Sequence, residues 1–176
     1  PLVLKQAGVM LAFKNTLVVG LSGRLSGLDP NTGVIRWESA IATPRGTNDV
    51  ERLVDLVAPF DRVGDVVCVR AFQAAVGCVN AELGKGVWTR PSAGEMGVSG
   101  NENLLIAPMS NGVVQAFNRS TGERVWETER LKYRILSAPL VTPRGVLVAD
   151  NGGWLYLLSL TDGALLNRIK LDTEEL

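Results

Sequence analysis

The 176-residue chain contains no histidine. That absence removes the usual general base, the usual zinc ligand and any Ser-His-Asp or Cys-His pairing. It has only two cysteines, in non-metal spacing, so there is no thiolate cluster. Charge of one sign is lacking too: 18 basic residues balance 18 acidic ones, which argues against a nucleic-acid binder with a basic face. No apolar run is long enough to span a membrane. Aromatics are few, with two Tyr and four Phe, too few for a carbohydrate- or peptide-binding rim. No signal segment opens the chain, and "PLVLK" reads as an entry into the middle of something larger.

What is present repeats. Gly33 precedes Trp37 by four residues, Gly84 precedes Trp88, and Gly122 precedes Trp126. Gly163 stands at the same offset from Asn167, where the tryptophan is missing. Ten residues upstream of each glycine sit Gly23, Ala74, Gly112 and Gly153. Apolar runs fill the spaces ("LSGL", "VGCV", "VQAF", "LYLL"), preceded by others ("TLVVG", "DVVCV", "NLLIA", "GVLVA"). The turns "PNTG", "RSTG" and "LTDG" supply glycine where φ > 0 is needed. A weaker apolar stretch before each copy, clearest in "SAPLVTPRG", supplies a first strand.

Four antiparallel strands every forty residues or so is the period of a propeller blade. The inner runs are apolar at nearly every position, as strands covered on both faces require. The expected fold is therefore an all-β propeller of four-stranded antiparallel blades, four of them in this chain. They lie approximately at residues 1–40, 50–90, 95–130 and 135–172, with an inter-blade loop at 41–55. Trp37, Trp88 and Trp126 are expected to turn inward and seal each blade against the glycine-bearing edge of the next. The other reading of each indole is a stacking platform for a sugar or base. Asn167 breaks the pattern, so the fourth module is expected to dock less firmly on its neighbour.

Apolar strand, Asp/Asn-x-x-x-Gly and then Trp resembles the quinoprotein-type propeller repeat. Within that group the chain resembles the family of the outer-membrane assembly lipoprotein BamB. The resemblance rests on "PLVLKQ", on "NDVERLVDLVAPF" and on "RILSAPLVTPRGVLVADNGGWLYLLS", and implies about half of an eight-bladed ring. It also implies a non-catalytic scaffold at the periplasmic side of the outer membrane of a Gram-negative bacterium. Such a scaffold is lipid-anchored through an N-terminal cysteine not present in this chain. It binds the POTRA domains of BamA and other assembly-machinery subunits and serves unfolded outer-membrane protein clients.

Family contact positions fall on Leu2, Leu4, Lys5 and Asp55, with Lys5 replacing the usual arginine and Val57 replacing a second acid. Leu2 and Leu4 read equally as the start of an inner strand, and Asp55 as a solvated loop carboxylate. A rival reading is a quinone-dependent dehydrogenase. It needs calcium-binding carboxylates and, in many members, adjacent cysteines, and neither is visible, so no cofactor or metal is expected. Cys68 and Cys78 flank a hairpin centred near Gln73. They are either a cross-strand disulfide or two small buried residues. Exposed blade edges offer β-augmentation, and uncovered end faces favour self-association of this segment.

Overall fold

The computed structural model describes residues 8–43 and 54–171. Those residues form four separate four-stranded antiparallel sheets, each a simple meander. The first holds β1 (Met10–Phe13), β2 (Thr16–Leu21), β3 (Arg24–Leu28) and β4 (Ile35–Ala40). The second holds β5 (Leu56–Val63), β6 (Val66–Ala71), β7 (Ala75–Asn80) and β8 (Lys85–Pro91). In the third are β9 (Ser99–Gly100), β10 (Leu104–Pro108), β11 (Val114–Asn118) and β12 (Arg124–Thr128). The fourth consists of β13 (Leu140–Thr142), β14 (Gly145–Ala149), β15 (Trp154–Leu158) and β16 (Leu165–Lys170).

The core is divided among the junctions between blades. Phe13, Val18 and Leu25 of the first blade pack with Val67, Val69 and Val79 of the second. Cys68, Val76, Cys78 and Trp88 pack with Leu105, Ala107 and Phe117 of the third. Ile106, Val114, Ala116 and Trp126 pack with Val146, Val148, Tyr156 and Leu158 of the fourth. Consecutive residues of β6 thus serve different cores, Val67 and Val69 facing backward and Cys68 facing forward. This two-sided burial is why the strand is apolar without alternation.

Trp37, Trp88 and Trp126 each reach forward to the turn of the following blade. A Cβ placed on Gly122 would lie 2.5 Å from Cδ2 of Trp88, and one on Gly163 would lie 2.6 Å from Cε3 of Trp126. Gly84 is covered by Trp37 in the same way, whereas Gly33 has open space around it. All four glycines have φ between +65° and +71°, a region that L side chains enter at a cost. The indole N–H of Trp88 donates to the Arg119 carbonyl at 2.7 Å, and that of Trp126 to the Leu160 carbonyl at 2.8 Å. The turns are pre-shaped by their first residue: the Oδ1 atoms of Asp29, Asn80 and Asn118 each accept two backbone N–H bonds.

One detail departs from the sequence reading. The third blade's first strand is not an apolar stretch but the two-residue β9, which lies beside β5 and β13. In the second blade Gln73, at the hairpin tip, occupies the left-handed region at φ +52°. Trp126 on Gly163 seals the fourth blade to the third, and with indoles reaching forward the tryptophan missing at position 167 belongs to the fourth blade's other face. Asn167 instead pairs with Leu157 and, with Leu147, Leu155 and Ile169, lines an open recess on the far side. Cys68 and Cys78 are direct partners in the β6–β7 register and form a disulfide with an S–S distance of 2.01 Å.

Candidate partner-binding face

Strand alternation sends the β2–β3, β6–β7, β10–β11 and β14–β15 hairpins to the same end of the blades as the crossings between blades. Backbone bonds stitch hairpin to crossing at each junction. Ile41 donates to Gly23 at 2.9 Å, Gln73 to Gly94 at 2.8 Å, Ser110 to Ala93 at 3.1 Å and Tyr133 to Asn111 at 2.7 Å. The result is a pre-organised surface of loops, which loses little entropy on docking.

Of the sequence-predicted contacts, Leu2, Leu4 and Lys5 lie outside the described residues. Asp55 belongs to this face. It is half-buried just before β5, and its carbonyl accepts the Phe72 N–H at 2.9 Å. Val57, where the family resemblance misses its second acid, is a buried β5 residue in register with Arg70 and bridged to Gly8. That site is therefore interior packing in this chain.

Sequence reasoning misses Arg70, although an arginine inside "VVCVRA" is a visible anomaly. Its side chain is fully buried. The guanidinium donates to the carbonyls of Ser92 at 2.7 Å and Pro108 at 2.8 Å, and to Ser92 Oγ at 3.3 Å. Ser92 Oγ donates to Gln115 Oε1 at 3.0 Å, and Gln115 donates to Glu127 at 2.8 Å. A polar relay thus runs from a buried cation to a carboxylate on β12. Burial pushes the Arg70 guanidinium down to about 10, still charged at neutral pH. It pegs the crossing at 92–98 beneath this face, and no side chain larger than glycine fits over it at Gly94.

A second pair joins the buried Arg119 to the half-buried Asp61, with Arg119 also donating to the Asn101 and Val66 carbonyls. The third cluster centres on Asp150. Its carboxylate accepts from Gly152 N–H at 2.9 Å, Trp154 N–H at 3.0 Å, the Tyr156 hydroxyl at 2.8 Å and the Arg134 guanidinium. Burial pushes the carboxyl up, but these donors outweigh it and hold it below its ordinary value. All three networks tie blades or loops together. Among the described residues no three His, Cys, Asp or Glu side chains gather as a metal site would need.

The family model described as "Outer membrane protein assembly factor BamB" matches residues 1–128 and 98–175. The protein of that name from Bordetella pertussis is 33% identical over 172 residues, covering 97% of this chain and 45% of the relative. The Burkholderia pseudomallei protein is 30% identical over 167 residues, covering 94% of this chain and 44% of its own. The crystal structure of BamB from Moraxella catarrhalis superposes with a TM-score of 0.88 at 23% identity, over 97% of this chain and 52% of that one. Yeast Sqt1 shares the fold at a TM-score of 0.71 and 11% identity. The chain spans about half the length of the curated relatives it matches. With four blades joined by three forward-reaching tryptophans and a family match running over nearly every residue, this chain belongs to the BamB family of outer-membrane protein assembly factors.

Proposed function

We propose that the chain is part of a non-catalytic scaffold in the assembly of outer-membrane β-barrel proteins, working at the periplasmic side of the outer membrane. Family membership over nearly its whole length is the observation that carries this reading. The partner is a POTRA-bearing subunit of the BamA type. Leu2 and Leu4 fill a small apolar pocket on it, while Lys5 and Asp55 set orientation at the rim. The stitched loops around Asp55 supply the rigidity that such a contact needs. A lysine in place of the fork-shaped arginine leaves a point charge, so no bidentate pair forms there. The protein is held to the membrane by a lipid on a cysteine outside this chain, and unfolded barrel proteins are its downstream clients. The rest of the ring, or a second copy of this segment, covers the apolar end faces.

Binding of purified POTRA domains, followed by calorimetry, tests the reading. Leu2→Ala/Leu4→Ala is expected to weaken the complex by tenfold or more, the loss of one apolar anchor. Asp55→Asn should mainly slow association and flatten its salt dependence. Unchanged affinity in the double leucine variant would overturn the assignment.

A further inference from the structure

The crossing between β12 and β13 carries two strongly exposed large side chains on the loop face. Tyr133 is 86% exposed and Ile135 is 62% exposed. Tyr133 also sits at φ +69°, a backbone region that a bulky residue enters only when its surroundings impose it. The surroundings do so here. Tyr133 N–H is fixed on the Asn111 carbonyl at 2.7 Å, Arg134 N–H on Leu131 at 3.1 Å, and the Ile135 carbonyl accepts Asn151 N–H at 3.1 Å. Leu131 and Leu136 are buried on either side, and the Arg134 guanidinium is held by Asp150. Nothing in the packing of the blades requires an aromatic here, since the ring projects into solvent.

Cations cluster in this crossing. Residues 129–135 hold Arg130, Lys132 and Arg134; Lys132 pairs with Glu129 and lies 5.7 Å from the Tyr133 ring centroid, and Arg134 pairs with Asp150, so the excess rests on Arg130 and on the two cations of β16. Across the Ile135–Asn151 bond, Arg168 and Lys170 lie 5.0 Å and 5.2 Å from the Trp154 ring centroid. In a chain with no net charge, this is a local surplus.

We infer that Tyr133 and Ile135 form a docking knob, separate from the Asp55 contact, for a folded protein whose surface offers a small apolar pocket rimmed by carboxylates. Pre-organisation favours a pocket over a membrane: a held backbone is useful for seating one ring in one cavity. Stable membrane association takes more apolar area than two side chains provide.

Photo-crosslinking from position 133 of the intact protein in its own cell envelope provides the test, with a photoreactive phenylalanine there and, as control, at Leu83, which is exposed on the opposite end. A discrete protein adduct at 133 but not at 83 is expected. That protein, purified, should bind the wild type and bind Tyr133→Gly and Ile135→Ser at least tenfold more weakly, with affinity falling as salt rises. Glycine suits the left-handed backbone, so Tyr133→Gly should melt no lower than wild type and separates loss of contact from loss of fold. Adducts with lipid only, no adduct, equal adducts at both positions, or equal binding by Tyr133→Gly would each overturn the inference.

Discussion

Changing Gly122 to alanine places a methyl group 2.5 Å from Trp88 Cδ2 at a residue whose φ is +70°. Two costs follow. The left-handed backbone penalises any Cβ by about 1–2 kcal/mol. The methyl also drives the indole off its seat, where it is 7% exposed and bonded to the Arg119 carbonyl. Removing a buried tryptophan altogether costs about 3–5 kcal/mol, so partial displacement with loss of that bond adds about 2 kcal/mol. Gly122→Ala should therefore cost about 3–4 kcal/mol, near 10 °C in melting temperature for a chain of this size. Gly33 has φ +71° but nothing near its Cβ direction, so in the 176-residue chain Gly33→Ala should cost only the backbone part. In a Trp88→Ala background Gly122→Ala should fall to that same small value, a coupling of about 2 kcal/mol. Urea unfolding followed by far-UV circular dichroism measures all four variants. Equal costs at Gly33 and Gly122, or a Gly122→Ala cost that survives removal of the indole, would refute forward sealing by tryptophan.

The Cys68–Cys78 link closes a ten-residue separation, and Cys68→Ala/Cys78→Ala should lose about 2–3 kcal/mol by loop entropy. Both sulfur-bearing residues are fully buried, so thiol trapping should find them unreactive to reductant until the protein unfolds. Arg70→Met removes a buried charge but strands the Pro108 and Ser92 carbonyls; a net loss of about 2–4 kcal/mol is expected, with Arg70→Lys losing less, and a melting point at or above wild type would overturn the peg. The Asp150 carboxyl is held below its ordinary 3.8. Its stabilisation is therefore present above pH 3.8 and is lost as pH falls through the folded value. Asp150→Asn should lower stability at neutral pH and flatten the acid limb of a stability–pH profile, and an unchanged limb would exclude Asp150 as a contributor.

The propeller is legible in the sequence because its blades bury both strand faces. Runs such as "VVCV" and "AVGCV" read as apolar throughout, and the glycine-to-tryptophan spacing recurs in register. The two-residue β9 is not legible, because a strand that short carries no pattern.

The polar networks escape sequence reading for a related reason. Arg70 and Asp150 are identifiable as charges inside or at the end of apolar segments and Arg119 as one charge in a polar turn, but their partners lie on other strands, blades or loops. Arg70 is 38 residues from Pro108, and Arg119 is 58 from Asp61. Only the fold sets those distances. Asp55 stands out solely through family resemblance, since a carboxylate before a strand has no pattern of its own. The loop face thus rests on two kinds of information. Apolar repeats fix where the blades are, and buried cations fix how the loops between them are held. Because Trp37, Trp88 and Trp126 each lean on the next blade's turn, loosening one junction should disturb the crossing at that junction first. Altered docking at a loop could then precede any loss of the sheets.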